Sequence, residues 1–132
     1  MLELNKSWSS TIKILVVDDE RLLRESVVCM LKRAGYEVLS AEGPRQALEI
    51  VKNTAPVDVV VSDNQMPEMP GTQLIRELAQ QYPNTAHVLM TGGRISPADV
   101  PNGVSVLRKP FLREDLISTV QAAIASSGRS VH

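Results

Sequence analysis

The sequence is poor in the residues that mark several classes of protein. Its 132 residues include one cysteine and two histidines, and only 3% are aromatic. A single cysteine cannot form an internal disulfide, which favours a protein of the reducing cytoplasm. We predict that Cys29 is a small core residue of a helix. His87, in a strand, and His132, in the tail, are not predicted to be ligands.

An excess of charge of either sign is also missing. There are 14 basic and 15 acidic residues, which gives a net charge of −1. Because no basic cluster appears, neither nucleic acid nor an anionic membrane surface is an expected partner. No apolar run approaches the roughly 20 residues of a membrane-spanning helix. With 43% hydrophobic residues, the chain is expected to form one domain with an ordinary core.

One stretch, residues 57–71, organises the rest of the chain. It begins as a run of mostly β-branched residues, which is typical of a strand buried on both faces. Asp63 follows at the carboxyl end of this strand. Two prolines and Gly71 then indicate a stiff turn away from the sheet. Ligand sites of open α/β sheets form at the carboxyl ends of strands, so Asp63 is a candidate site residue.

Strand and helix patterns alternate along the chain. They predict strands at 12–17, 36–41, 57–63, 86–91 and 104–108, and helices at 21–34, 44–53, 72–82 and 112–125. Segment 92–103 holds two prolines and three glycines, which predicts at most a short turn around 96–100. The alternation indicates a parallel sheet with helices on both faces. We expect a folded domain at 12–125 between a polar extension, 1–11, and a polar tail, 126–132.

Polar side chains follow four of the predicted strands, at Asp18-Asp19, Asp63, Thr91 and Lys109. If these strands are neighbours, the side chains converge on one edge of the sheet. Three carboxylates packed together repel one another, and a divalent cation such as Mg²⁺ relieves that repulsion. The same arrangement suits a phosphoryl group, with Lys109 neutralising its oxygens and Asp63 attacking phosphorus.

These residues make the chain similar to the receiver domain of two-component response regulators. The similarity covers about residues 12–124 and implies a flavodoxin-like, doubly wound sheet of five parallel strands in the order 2-1-3-4-5. The matching motifs, in chain order, are Leu15-Val16-Val17-Asp18-Asp19-Glu20, Asp63 with Met66-Pro67 and Gly71, Met90-Thr91-Gly92, and Lys109-Pro110-Phe111.

The resemblance implies a role for each acidic residue. Asp63 would be the phosphoacceptor and would share in binding Mg²⁺. Asp19 would bind Mg²⁺ directly, Asp18 would support it, and the backbone carbonyl of Gln65 would supply another ligand. The phosphoryl donor would be a histidine kinase or a histidine phosphotransfer protein. The domain would promote its own phosphorylation and dephosphorylation only, and would act on no other substrate as an enzyme.

Thr91 and Lys109 would contact the phosphoryl group and signal its presence. The chain departs from the family at Val106, where many receivers carry an aromatic residue that follows the threonine inward. It also departs in segment 92–103, which is short and would normally contain the fourth helix. We therefore expect phosphorylation to act mainly by restructuring this segment, through which the domain would alter the binding of a partner.

The same residues argue against two other functions. An aspartyl-phosphate phosphatase of the haloacid dehalogenase type needs a second aspartate two residues after the first, as a general acid, and Gln65 occupies that position. A flavin-binding, flavodoxin-like module needs a phosphate-cradling loop after the first strand. Asp18, Asp19 and Glu20 would repel that phosphate.

Overall fold

The computed structural model describes residues 11–54 and 56–127, whose five strands form one parallel sheet. Its strand order is β2-β1-β3-β4-β5, so the order and direction predicted from the sequence are confirmed. The central strand β3 is buried along its whole length, which explains its nearly continuous apolar sequence. The strands are β1 Lys13–Val17, β2 Glu37–Ala41, β3 Val59–Asp63, β4 Ala86–Thr91 and β5 Ser105–Arg108.

Four α-helices of the described residues pack on the two faces of the sheet. They are α1 Arg21–Arg33, α2 Pro44–Asn53, α3 Gly71–Gln81 and α4 Arg113–Ser126. Helices α1 and α4 pack on one face, where Val27 and Leu116 are fully buried against strand side chains. Helices α2 and α3 pack on the other face, through Ala47 and Leu74 among others. Alternate residues of the central strands β1 and β3 therefore contribute to two separate apolar clusters.

Segment 92–103 contains a single 3₁₀ turn, Pro97–Asp99, in place of a helix. The prediction of a short or absent fourth helix is thus confirmed. Val106 of β5 is 38% exposed, whereas its neighbour Leu107, on the opposite face, is buried. The predicted extension falls almost wholly outside the described residues, as does the tail after Ser127. Within the part of the chain that is described, no helix combines the length and apolar character needed to cross a membrane.

The prediction that Cys29 belongs to the core is wrong. Its side chain is exposed on α1. The inward positions of this helix are Val27 and Leu31, which are fully buried. Cys29 lies two residues from each of them, which places it on the other side of a helix with 3.6 residues per turn. The apolar character of the local sequence hid this difference.

His87 is a buried histidine in β4, away from the acidic edge of the sheet. Only 5% of its surface is exposed, and neither ring nitrogen has a hydrogen-bond partner among the described residues. Burial disfavours the charged imidazolium and lowers the pKa of His87 from 6.5 to about 4. The ring is therefore neutral at physiological pH.

We predict that His87 makes the fold sensitive to mild acid. Because its pKa is lower in the folded than in the unfolded chain, the unfolded chain binds the proton first as the pH falls. The stability from the neutral ring is complete above pH 6.5 and is lost as the pH falls towards 4, by up to roughly 3 kcal/mol. Urea unfolding of the parent and His87→Leu between pH 7.5 and 4.5 measures the difference. Parallel pH profiles for the two proteins would contradict the prediction.

Candidate functional site

Three carboxylates meet at the carboxyl ends of β1 and β3. One carboxylate oxygen from each of Asp18, Asp19 and Asp63 lies within 4.8 Å of the others. The three carboxylates lie close together because β1 and β3 are adjacent strands. Val17, the last residue of β1, pairs with Ser62, which precedes Asp63. The expected convergence is therefore present for these three carboxylates. Asp18 and Asp63 are buried and Asp19 is exposed, so the cluster opens to solvent on one side.

Asp18 is held in place by its backbone and by one of its two carboxylate oxygens. Its N–H donates to the Ala41 carbonyl at 3.2 Å, and its Oδ1 accepts a hydrogen bond from the Glu20 N–H at 2.9 Å. Its Oδ2 is buried and has no hydrogen-bond partner among the described residues. Burial raises the pKa of Asp18 from 3.8 to about 6, and the charges of Asp63 and Asp19 add to that increase. The Glu20 hydrogen bond and Lys109 act in the opposite direction.

Lys109 places one positive charge against these carboxylates. Its Nζ lies 2.8 Å from Asp63 Oδ1 and 3.9 Å from Asp18 Oδ2. The backbone sets its position, because the Lys109 N–H donates to the Thr91 carbonyl at 2.8 Å. Since one ammonium faces three carboxylates, the cluster keeps an excess of negative charge.

The loop after β3 is tied to β4 and to the start of α3 by backbone hydrogen bonds of Asn64. The Asn64 N–H donates to the Met90 carbonyl and the Asn64 carbonyl accepts from the Gly71 N–H, both at 2.9 Å. A Cβ atom at position 71 would collide with the Asp63 carbonyl oxygen and would lie 2.9 Å from Leu89 Cδ1. Glycine is therefore needed here so that the helix can approach the backbone of Asp63.

Thr91 is buried at the end of β4, and its hydroxyl is engaged with the following segment. The hydroxyl donates to the Gly93 carbonyl at 3.1 Å and accepts from the Gly93 N–H at 3.3 Å. Gln65 is exposed in the loop after Asp63. Its Nε2 would lie 3.3 Å from a Cβ atom at position 93, so this side chain reaches across to the same segment.

The donor set suits a small, hard divalent cation. It offers carboxylate oxygens, and the buried Asp18 Oδ2, which accepts no hydrogen bond from a described residue, is an acceptor that a cation would satisfy. Mg²⁺ prefers few protein oxygens together with water, which the exposed side of the cluster allows. A cation would also offset the burial and the repulsion that raise the pKa of Asp18. The residues present therefore fit Mg²⁺.

A parallel sheet in this order, with a ligand site at its carboxyl edge, defines a flavodoxin-like α/β protein. Comparison with known sequences identifies the family within this fold class. The sequence model of the response regulator receiver domain matches residues 14–121. The chain belongs to this family of signalling domains, which supports a role as a phosphoacceptor.

Sequences similar to this chain occur in proteins of different kinds. The sensor kinase CckA of Brucella abortus is 38% identical over 120 residues, which cover 86% of this chain and 12% of that protein. A probable transcriptional regulatory protein of Picosynechococcus is 33% identical, over 92% of this chain and 52% of that protein. The chain thus spans about half or less of the length of these relatives.

A solved structure shows the same fold. The chemotaxis response regulator CheY4 of Vibrio cholerae is 34% identical, with a TM-score of 0.76 over 86% of this chain and 99% of that one.

Another relative by sequence is matched over nearly its whole length. The response regulator receiver protein CpdR of Brucella abortus is 29% identical, and the match covers 98% of that protein. Sequences of this kind therefore occur both as nearly whole proteins and as parts of longer ones.

One residue beside the site was missed by the sequence reasoning. Arg24 of α1 donates a hydrogen bond from its Nη1 to the carbonyl of Asp18 at 2.8 Å. The sequence did hold a signal. Arg24 is a cation in the first four residues of a helix, where the helix dipole disfavours positive charge.

Proposed function

We propose that the chain is the phosphoacceptor domain of a two-component phosphorelay. Asp63 would take a phosphoryl group from a histidine kinase or a histidine phosphotransfer protein, with Mg²⁺. The domain would then change conformation and alter the binding of a partner. The observation that supports this most is the Asp63 carboxylate, which lies at the end of the central strand, 2.8 Å from Lys109 Nζ and beside two further carboxylates.

The proposed transfer needs a nucleophile and compensation for the charge on phosphorus. A carboxylate oxygen of Asp63 forms the new P–O bond while the P–N bond to the donor imidazole breaks, and the imidazole nitrogen keeps the electron pair of that bond. The Lys109 ammonium stabilises negative charge on the phosphoryl oxygens. The Thr91 hydroxyl donates a hydrogen bond to one of them. The product is an acyl phosphate on Asp63 and a free histidine on the donor.

Mg²⁺ would be held by Asp18, Asp19, Asp63 and the backbone carbonyl of Gln65. When bound, it supplies the positive charge that lets anionic carboxylates accept an anionic phosphoryl group. Asp18 and Asp19 have no other task in this proposal. The amide of Gln65 cannot act as a general acid, so a phosphatase of the haloacid dehalogenase type lacks a necessary group. A flavin phosphate would meet uncompensated carboxylates at the same edge.

The relatives support the proposed donor. Matches to this chain occur within the sensor kinases CckA of Brucella abortus and TorS of Escherichia coli. Leu22 and Leu112, near the site in sequence, are 77% and 68% exposed and offer apolar contact area to a partner. We also propose a cytoplasmic location, which the exposed, unpaired thiol of Cys29 fits.

Thr91 connects the proposed phosphoryl position to segment 92–103. Its hydroxyl donates to the Gly93 carbonyl, and a hydroxyl hydrogen can serve only one acceptor at a time. Donation to a phosphoryl oxygen would therefore break the hydrogen bond to the Gly93 carbonyl. The segment has few other ties, of which one is the hydrogen bond from Arg76 Nη2 to the Asp99 carbonyl at 2.9 Å. Most of its residues are exposed, so the segment should reorder readily.

We predict that Asp63 is the only site of acyl phosphorylation. Incubation with acetyl phosphate and Mg²⁺ should add one phosphoryl group, which intact mass spectrometry detects and hydroxylamine removes. Asp63→Asn should incorporate none, because an amide is a poor nucleophile. Asp99→Asn, which changes an exposed carboxyl outside the site, is the matched control and should be labelled like the parent. Equal incorporation by Asp63→Asn and the parent would refute the assignment.

We predict that phosphorylation reorders segment 92–103 more than any other part of the fold. Hydrogen exchange with and without beryllium fluoride, a phosphoryl mimic, should show the largest change in protection there. Val106→Tyr should leave this response largely intact, because the signal passes through the Thr91–Gly93 hydrogen bonds and not through an aromatic side chain. Equal protection of the segment in both states, together with a change in α4, would contradict the proposal.

A further inference from the structure

Arg24 is a cation at a position where a helix disfavours one. Helix α1 has no acidic residue in its first turn, and Arg21 and Arg24 both lie in its first four residues. Arg21 is explained by its ion pair with Glu25 one turn later, at 3.1 Å. Among the described residues, Arg24 forms no ion pair with a carboxylate. Its position therefore calls for a different explanation.

The Arg24 side chain turns back onto the strand end that carries the acidic pair. Its Nη1 donates to the Asp18 carbonyl oxygen at 2.8 Å. That carbonyl and the N–H of Asp19 belong to one planar peptide unit, so the hydrogen bond fixes the direction in which the chain leaves Asp18. A hydrogen bond from a charged donor is also stronger than one between neutral groups.

Asp19 depends on this peptide unit more than Asp18 does. The side chain of Asp18 has its own anchor in the Glu20 N–H. The carboxylate of Asp19 is exposed and forms no hydrogen bond or ion pair with another described residue. Its place in the cluster, within 4.8 Å of the other two carboxylates, is therefore set by the backbone before it. Arg24 is the side chain that holds that backbone.

We propose that Arg24 is a positioning residue for the divalent cation of this site. It holds the Asp18–Asp19 peptide so that the two carboxylates already face the cation position, and it touches neither the cation nor the phosphoryl group. The inference rests on the proposed function and names one further residue that serves it. Preorganised ligands lose less conformational freedom on binding, so the benefit should appear in cation affinity.

The test compares Arg24→Met, Arg24→Lys and the matched control Arg21→Met, which removes a neighbouring guanidinium of the same helix. Mg²⁺ is titrated into each protein at constant temperature and followed by amide chemical shifts, without a phosphoryl donor. We expect the half-saturating Mg²⁺ concentration of Arg24→Met to rise about tenfold, because an ordering hydrogen bond from a charged donor is lost. Arg24→Lys, which keeps one charged donor, should lie between Arg24→Met and the parent. Arg21→Met should match the parent.

A second measurement separates positioning from a merely structural or catalytic role. The rate of labelling by acetyl phosphate is measured against Mg²⁺ concentration. For Arg24→Met the midpoint should shift as in the binding titration, while the rate at saturating Mg²⁺ stays within about twofold of the parent. A midpoint within twofold of the parent would overturn the proposal. So would an equal shift in Arg21→Met, or a loss of maximal rate with an unchanged midpoint.

Two further outcomes, a variant that does not fold and a parent that is not labelled, also decide the role of Arg24. If Arg24→Met does not fold, Arg24→Lys and Arg24→Gln take its place in the same titration, and parental midpoints in both would overturn the inference. If the parent binds Mg²⁺ but is not labelled at Asp63, the proposed function fails while the binding titration still decides the role of Arg24.

Discussion

The repulsion among three carboxylates at one edge of the sheet is the constraint on which the rest of the site depends. Asp18 is affected most by this repulsion, because its side chain is fully buried and one of its carboxylate oxygens has no hydrogen-bond partner among the described residues. A single ammonium, that of Lys109, cannot neutralise the cluster. The fold must therefore hold in place groups that would separate if they were free to move, and the remaining negative charge is what makes the edge a site for a cation.

The parallel sheet provides the rigidity that this arrangement needs. β1 and β3 are hydrogen-bonded neighbours buried between two layers of helices, so Asp18 and Asp63 cannot drift apart without breaking the core. Short-range contacts complete the support. Gly71 brings α3 against the Asp63 backbone, and Arg24 holds the peptide after Asp18. Segment 92–103 lacks such support. Thr91 therefore lies between a rigid edge of the sheet and a segment that can reorder.

The sequence predicted what depends on pattern and order along the chain. Buried runs gave the strands to within two residues, and the polar residues that end them gave the cluster of Asp18, Asp19 and Asp63. The predicted β3 starts two residues too early, because Val57 is buried like a strand residue although the strand begins at Val59. Asp58, between them, accepts from the Lys13 N–H with its carboxylate at 2.8 Å. The exposure of Cys29 was missed because its apolar neighbours do not show which side of a helix faces the sheet.

The contacts that control the site could not be predicted in the same way. Whether the Thr91 hydroxyl points to Gly93, or Arg24 turns back to a carbonyl six residues before it, depends on rotamers and on loop geometry. Local sequence does not determine either. Local sequence does show that Arg24 is a cation near the N-terminus of a helix, where the helix dipole disfavours positive charge. A local feature that conflicts with the fold often marks a functional position.

The melting temperatures of the parent and Asp18→Asn, measured with EDTA and with Mg²⁺, test whether carboxylate repulsion at the edge of the sheet creates the cation site. We expect Asp18→Asn to melt higher than the parent in EDTA near pH 7.5, because an amide replaces a buried carboxylate whose Oδ2 accepts no hydrogen bond from a described residue. Millimolar Mg²⁺ should raise the melting temperature of the parent and of the control Asp99→Asn, but not that of Asp18→Asn. A lower melting temperature for Asp18→Asn in EDTA, or an equal response of all three proteins to Mg²⁺, would refute this explanation of the site.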